Sequence, residues 1–173
     1  MGLAPTTSTT LMLALGDALA VALLGRKGFS ADDFRNLHPG GRLGKKLLRV
    51  RDVMREGEAV PVVPRGTPMG EAILVMTAKS LGAVGVVADE RLVGIVTDGD
   101  LRRHMGDRLL GASVDEVMTP DPRTIGPQAL AAEALGHMNA GDGRPVLVLF
   151  VVDEERRPVG VVHLHDVLRA GVA

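Results

Sequence analysis

Two copies of one pattern of hydrophobic and polar positions run through this chain. Val53-Met54 recurs 64 residues later as Val117-Met118, and Gly94 recurs 66 residues later as Gly160. A pattern that repeats at a nearly fixed offset indicates that one supersecondary unit is used twice. The small difference between the two offsets is expected to lie in the loops.

The first copy begins near Arg51 and predicts the order strand, helix, strand, strand, helix. Short apolar runs between turn signals carry this prediction. They are the strand Pro61 to Val63, a helix with Pro68 in its first turn, the hairpin strands Val84 to Ala88 and Leu92 to Thr97, and a helix opened by Asp98-Gly99-Asp100.

The second copy begins near Asp115 and repeats this order. Its predicted elements are the strand Arg123 to Ile125, a helix from Pro127 to about Asn139, the strands Val146 to Val152 and Val159 to Val162, and a helix from Leu164. A single β-α-β-β-α unit cannot cover both faces of its sheet. The two units should therefore pack against each other and share a cleft.

The segment before the repeats has a different character. Leu11 to Leu24 is the longest apolar stretch and is predicted to form a buried helix. It falls short of the roughly 20 residues that a membrane-spanning helix needs, so no membrane partner is expected. Ser30 and Asp33 have the spacing of a capping box, which predicts the start of a further helix.

Composition narrows the function classes. Hydrophobic residues make up 46% of the 173 residues, but only 2% are aromatic, so Val, Leu, Ala, Ile and Met must build the core. The formal net charge of −1 provides no general attraction for nucleic acid. The absence of Cys excludes a disulfide framework and fits a cytoplasmic protein.

The repeated motifs resemble tandem cystathionine-β-synthase (CBS) repeats. The resemblance rests on the Val-Met pairs, on Gly94 to Leu101 and on Gly160 to Leu168. It implies an α/β (α+β) fold in which two β-α-β-β-α repeats, at residues 46–114 and 115–173, form a pseudo-two-fold disc.

Further motifs resemble the closing part of arabinose-5-phosphate isomerases, in which a sugar isomerase (SIS) domain precedes a CBS pair. They are Pro5 to Thr10, Leu15 to Ala20 and His38 to Gly44. The resemblance implies that residues 1–45 are a mainly helical remnant of the SIS domain. The family interconverts arabinose 5-phosphate and ribulose 5-phosphate for the lipopolysaccharide sugar Kdo.

His38 aligns with a histidine that the resemblance implies is catalytic. The family's Ser-rich phosphate loop and its catalytic Lys and Glu have no visible counterparts here. The chain alone is therefore expected to lack isomerase activity.

Asp100 and Asp166 are the leading candidates for ligand binding, because each falls where a strand turns into a helix. The resemblance implies that such an Asp accepts hydrogen bonds from ribose hydroxyls, beside a Ser or Thr three residues earlier. The predicted nucleotide site comprises Thr97, Asp98, Asp100, His163 and Asp166, with Val62, Val63 and Ile125 lining the base. A simple role as helix N-terminal caps explains the same aspartates.

His163 replaces the Thr in the second copy, which favours the Thr97/Asp100 site over the His163/Asp166 site. His163 and His165 are two residues apart. No metal site is expected there, because only Asp166 lies nearby, the chain has no Cys, and the strand-to-helix turn should separate the directions of the two side chains.

Three functions remain open at this stage. The first is a regulatory module that binds an adenine nucleotide or a CMP-sugar. The second is an isomerase, supported by His38 alone. The third is an architectural module that joins copies of the chain into a homo-oligomer without any ligand.

Overall fold

The computed structural model describes residues 5–30, 33–34, 37, 41–106, 108–140 and 145–172. The chain divides into an N-terminal unit, residues 1–44, and a C-terminal unit, residues 45–173.

The N-terminal unit is dominated by helix α1, Thr6–Arg26, which is 21 residues long. Hydroxyls in its first turns donate to backbone carbonyls one turn earlier, as from Thr10 Oγ1 to Thr6 O at 2.9 Å. The predicted helix is confirmed. The prediction that it is buried is wrong for this chain, because none of its residues is buried and Leu13 is 68% exposed.

The length of α1 also corrects the sequence argument about membranes. The helix extends five residues before Leu11 and two beyond Leu24. Judged by length and composition alone, α1 is long and apolar enough to cross a membrane. A core helix of a soluble protein and a signal sequence share these properties, so the observation is weak evidence.

The predicted capping box after α1 is present. Asp33 N donates to Ser30 Oγ at 3.1 Å, and Ser30 N donates to Asp33 Oδ2 at 2.8 Å. The side-chain hydrogen bond from Ser30 is the largest cause of a lowered pKa at the Asp33 carboxyl.

The remaining helices and strands contain the predicted order twice, with a further two-residue strand before each copy's first predicted strand. The helices are α2 (Arg42–Lys46), α3 (Met69–Lys79), α4 (Asp98–Arg103), α5 (Val114–Val117), α6 (Ala131–Asn139) and α7 (Leu164–Arg169). The strands are β1 (Arg55–Glu56), β2 (Val62–Pro64), β3 (Ala83–Ala88), β4 (Arg91–Thr97), β5 (Thr119–Pro120), β6 (Thr124–Ile125), β7 (Val148–Val152) and β8 (Pro158–His163).

The strands form two four-stranded sheets, in the orders β2-β3-β4-β5 and β1-β8-β7-β6. The β2–β3 and β6–β7 pairs are parallel and the others are antiparallel. β1 is the first strand of the first copy but pairs with β8 of the second copy, and β5 is the first strand of the second copy but pairs with β4 of the first copy. Each copy therefore gives its leading strand to the other copy's sheet.

The hydrophobic cores show the same exchange. Val50, from the leading segment of the first copy, is fully buried in a cluster with Leu149 and Val162 of the second copy. Val114 is fully buried in a cluster with Val84 and Val96 of the first copy. A third cluster joins the two sheets, and its buried members are Leu81, Ala83, Val148 and Val161. The predicted pair of α/β repeats with two-fold pseudo-symmetry is confirmed.

The exchange explains why the Met and Gly positions recur together. A Cβ atom on Gly160 would lie 2.6 Å from Met54 Sδ and 3.1 Å from the backbone oxygen of Arg55. A Cβ atom on Gly94 would meet the Met118 side chain in the same way. A side chain at either glycine would collide with the leading strand that crosses it.

Two helix boundaries differ from the predictions. Pro68 lies just before α3 rather than in its first turn, and α6 begins at Ala131 rather than Pro127. Tertiary hydrogen bonds account for the later start of α6. Pro127 O accepts from Arg51 N and Ala129 O accepts from Val50 N, so these carbonyls pair with the leading segment rather than with a helical turn.

Candidate functional site

We call the turn from β4 into α4 the first corner, and the turn from β8 into α7 the second corner. Thr97 and Asp100 occupy the first corner, and His163 and Asp166 occupy the equivalent positions of the second. The N-cap is Thr97 in the first corner and His163 in the second. In each corner the aspartate is the third residue of the helix and not the cap itself.

The carboxylate of Asp100 in the first corner is fully engaged within the protein. Its Oδ2 accepts from Thr97 N at 2.8 Å and from Thr97 Oγ1 at 2.5 Å. Its Oδ1 accepts from Thr119 Oγ1 at 3.2 Å and forms an ion pair with Arg103. Because Asp100 is only 2% exposed, this carboxylate holds the corner together and presents little surface to a ligand.

Asp166 in the second corner is held differently. Its carboxylate accepts from Arg55 Nε at 2.9 Å and from Arg55 Nη2 at 3.2 Å. Arg55 and Thr119 occupy equivalent positions, directly after the recurring Met, so each exchanged strand supplies one donor to the other copy's aspartate. The Asp166 side chain is 15% exposed, so this carboxylate can be reached from solvent.

His163 caps α7 as a neutral imidazole. Its Nδ1 accepts from His165 N at 3.1 Å, which requires an unprotonated nitrogen. Burial is the largest cause that lowers the pKa of His163, and the neighbouring His165 lowers it further. The rings of His163 and His165 lie with their centroids 4.8 Å apart and their planes tilted by 58°. Among the described residues, no group of three or more potential metal ligands is present.

A cavity of about 330 Å³ opens beside the second corner. Its lining combines the aspartate of that corner with the exchanged leading segment and the end of α7. The lining residues are Asp52, Val53, Arg55, Asp166, Arg169 and Ala170. Arg169 is exposed, and the described part of the chain provides no ion-pair partner for it. Within the described part of the chain, the cavity therefore presents one guanidinium without an ion-pair partner beside the Arg55–Asp166 pair.

Asp98 lies at a second, smaller cavity of about 190 Å³ between α3 and α4. Its lining also includes Met76, Thr77, Ser80 and Leu101. Asp98 is exposed while Asp100 is buried, so the two predicted site residues face different surroundings.

The three residues predicted to line a base lie in the sheets. Val63 on β2 is 5% exposed and packs in the core of the first sheet. Ile125 on β6 is 5% exposed and packs in the core of the second sheet. Val62 is half-buried. None of the three is among the residues that line the two cavities described above.

His38, the predicted catalytic residue, lies outside the described residues. Its assignment stays a prediction from the sequence.

The sequence argument missed Arg55 and Arg169. Arg103 recurs as Arg169 at the offset of 66 that also relates Asp100 to Asp166, so the repeat itself could have identified Arg169 as a candidate. Arg55 carried none, because its contact with Asp166 depends on the exchange of β1 between the sheets.

A family model described as CBS domain matches this chain twice, at residues 50–107 and 114–173. A curated relative, arabinose 5-phosphate isomerase KdsD from Pseudomonas aeruginosa, is 50% identical over 177 aligned residues. The alignment covers 99% of this chain and 53% of the relative. The chain thus spans about half the length of the isomerase to which it is similar.

Solved structures share the fold at lower identity. The CBS-pair protein CBSX2 from Arabidopsis thaliana is 24% identical with a TM-score of 0.62, and the match covers 72% of this chain and 94% of that chain. A structure of CBSX2 in complex with AMP is 23% identical with a TM-score of 0.60, and the match covers 72% and 97%.

Proposed function

Since the chain belongs to the CBS-domain family, we propose that its paired repeats form a regulatory module that binds a nucleotide at the second corner. The ligand is an adenine nucleotide or a CMP-sugar. The observation that carries the proposal is the contrast between the two corners. Asp100 has its carboxylate satisfied internally, whereas Asp166 lines an open cavity together with Arg55 and Arg169.

The chemistry of this cavity supports nucleotide binding. Each Asp166 oxygen accepts one hydrogen bond from Arg55 and keeps acceptor capacity for a ribose hydroxyl. Guanidinium groups suit phosphate because their planar N–H groups pair with two of its oxygens. CBSX2, which shares the fold of this chain, has been solved in complex with AMP. This supports an adenine nucleotide as the first ligand to test.

The sequence favoured the Thr97/Asp100 site over the His163/Asp166 site for ligand binding, and the proposal reverses this preference. The Thr97/Asp100 pair remains a candidate, but a ligand there would have to displace Thr97, Thr119 or Arg103 from the buried carboxylate. At the second corner, a ligand that binds Arg169 displaces no ion-pair partner among the described residues. We therefore propose the second corner as the main site and the first as a structural cap.

The regulated activity is proposed to be that of an arabinose 5-phosphate isomerase, in view of the curated relative. The chain alone is proposed to lack this activity, because enediol chemistry needs a positioned acid and base together with phosphate binding. Turnover of arabinose 5-phosphate by the purified chain in a coupled assay, abolished by His38→Ala, would contradict this.

A thermal-shift titration tests the binding site. A ligand that binds only the folded state stabilises it by about 2.7 kcal/mol at a concentration of 100 Kd. For a chain of this size, that stabilisation raises the melting temperature by about 5 to 10 °C. We expect AMP or a cytidine nucleotide to produce such a shift, and Arg169→Ala to reduce it.

Arg102→Ala is the matched control, because Arg102 is another exposed arginine and lies on α4 beside the first corner. Equal losses in Arg169→Ala and Arg102→Ala would contradict the assignment to the second corner. The absence of any shift across adenine and cytidine nucleotides would contradict nucleotide binding altogether.

An architectural role is the second candidate, supported by apolar surface. Leu74 on α3 is 70% exposed and Leu110 is 65% exposed. A Cβ atom on Gly70, one turn before Leu74, would lie 3.4 Å from the backbone oxygen of Leu110, which places these leucines on neighbouring surface. Light scattering tests this candidate. A dimer that Leu74→Ser converts to monomer would support it, and a monomeric parent chain would contradict it.

A further inference from the structure

The smaller cavity, between α3 and α4 of the first repeat, combines a carboxylate with apolar walls. Asp98 lines it, and within the described part of the chain its carboxylate has no hydrogen-bond or ion-pair partner. Asp98 Oδ2 lies 2.7 Å from the point that a Cβ atom on Gly82 would occupy, so the carboxylate uses the space that the glycine leaves. The apolar walls are the side chains of Ile73, Met76 and Leu101.

The end of α3 makes this cavity more attractive to a cation. The helix ends at Lys79, and Ser80 follows it in the left-handed conformation. Thr77 and Ser80, from this end of the helix, line the cavity. The C-terminal end of a helix carries a partial negative charge, because its last carbonyls have no partner within the helix. The helix end and Asp98 therefore both favour a positive charge in the cavity.

The side chain of arginine suits these surroundings. Its methylene groups pack along apolar walls, while its planar guanidinium pairs with a carboxylate. Two arginines lie on α4, of which Arg103 pairs with Asp100. Arg102 is exposed and has no ion-pair partner among the residues that the structure describes. It follows Asp98 by four positions, so the two residues share one side of α4.

This spacing makes the face self-complementary. In a dimer with a two-fold axis, a residue that contacts a second residue of the partner is itself contacted in the same way. An axis perpendicular to α4 would therefore bring Arg102 of each copy opposite Asp98 of the other. Both charges would gain a partner in a single contact.

The second repeat lacks these charges at the equivalent positions. The position of Asp98 is taken by Leu164, 66 residues later. The position of Arg102 is taken by Leu168, which is 45% exposed. Leu147, whose backbone oxygen accepts from Leu164 N at 2.8 Å, adds further exposed apolar surface. A first repeat packed on the second repeat of another copy would set both charges against leucines, and burial of an unpaired charge is unfavourable.

We propose that the α3–α4 face of the first repeat binds the same face of a second copy of this chain. Arg102 of each copy enters the smaller cavity of the other and pairs with its Asp98, which gives two ion pairs per dimer. The inference rests on the architectural candidate of the proposed function, to which it assigns a surface and a partner. It is independent of nucleotide binding at the second corner.

Charge reversal on the full chain tests the contact, with light scattering and native mass spectrometry as the measurements. We expect the parent chain to dimerise. Asp98→Arg or Arg102→Asp alone sets like charges against each other in a homodimer, which opposes association. Each variant should therefore dimerise at least about tenfold more weakly than the parent. An equimolar mixture of the two variants restores both ion pairs, so heterodimers should form well above their statistical share.

Two further variants complete the test. Arg91→Asp makes the same charge change as Arg102→Asp at the opposite end of β4, and it should leave dimerisation unchanged. Thr77→Arg keeps the proposal testable if Asp98→Arg does not fold. Thr77 is exposed at the cavity, so a long cationic side chain there would occupy the space of the partner's arginine. Dimerisation should again weaken by at least about tenfold.

The outcomes separate this inference from the proposed function. A parent chain that stays monomeric would overturn the inference and the architectural candidate, and would leave nucleotide binding intact. A dimer that withstands the charge reversals or Thr77→Arg would overturn the inference alone, because the copies would then meet through another surface. A mixture of the two charge variants without excess heterodimer would also overturn it, since the two charges would not face each other.

Discussion

Replacement of Gly160 by Ala should disturb the exchange of leading strands between the two repeats. The new Cβ atom would lie 2.6 Å from Met54 Sδ and 3.1 Å from Arg55 O. Favourable contacts between such atoms lie at about 3.5 to 4.0 Å, so β1 or the Met54 side chain must move by about 1 Å. Overpacking of this kind destabilises a protein by about 1 to 3 kcal/mol.

Urea unfolding of the full chain measures this loss. With a slope near 2 kcal/mol per molar, a loss of about 2 kcal/mol lowers the midpoint by about 1 M. Gly136→Ala is the matched control, because Gly136 lies inside α6 with nothing within 4 Å of its added Cβ. The control should stabilise the chain by about 0.4 to 1 kcal/mol.

A double-mutant cycle identifies the colliding side chain. Met54→Ala removes Sδ and Cγ, two of the three nearest atoms that the new Cβ would meet, and leaves Arg55 O. The double variant Gly160→Ala, Met54→Ala should therefore be more stable than the sum of the two single losses predicts. A coupling of about 0.5 to 3 kcal/mol is the usual range for residues in contact. A Gly160→Ala variant with the stability of the parent chain, or additive losses in the cycle, would refute the reasoning.

Further predictions concern the polar contacts of the C-terminal unit. Asp100→Asn should destabilise the chain by about 1 to 3 kcal/mol in urea unfolding, because it weakens several buried hydrogen bonds; an unchanged midpoint would contradict this. The pKa of His163 is lowered by burial, so its contribution to stability is complete above the unfolded pKa of about 6.5 and is lost as pH falls through the folded value. His163→Thr should therefore show a flatter decline in melting temperature on acidification than the parent, and an identical decline would contradict it. The Arg65 side chain is the largest cause that lowers the pKa of Asp115, so Arg65→Gln should raise that pKa in an NMR titration; an unchanged pKa would contradict the contact.

The sequence allowed the repeat order to be predicted because its signals are local. The hairpin between β3 and β4 is an example, since Asp89 and Glu90 separate two β-rich runs and both adopt positive φ, at 48° and 64°. Positive φ at both central residues is the backbone of the tight turn whose twist matches that of the flanking strands. Periodicity likewise located α3, whose buried residues Met69, Ala72 and Met76 share one face.

The exchange of leading strands could not be predicted in the same way. β1 and β5 are each two residues long, and their local sequence does not specify which sheet they join. The choice is made by tertiary contacts such as the burial of Val50 in the second copy's core. The location of the open cavity follows from that choice, because Arg55 reaches Asp166 only from the exchanged strand.

The choice between the two corners as the ligand site also could not be made from the sequence. The Thr-x-x-Asp spacing of Thr97 and Asp100 fits a ligand site and a capping box equally well. Thr119 and Arg103 decide between them, because they occupy the oxygen of Asp100 that Thr97 leaves free. A single sequence does not reveal that these side chains converge.

Methyl NMR of the methionines tests the central claim most directly, namely that ligand binds at the second corner and not at the first. Met54 directly precedes Arg55 at the second corner, and Met118 directly precedes Thr119 at the first. The two methyl signals are assigned with Met54→Leu and Met118→Leu, and AMP is then titrated into the full chain. We expect the Met54 signal to shift while the Met118 signal stays in place. A shift of Met118 alone, or of neither methyl at saturating AMP, would contradict the account.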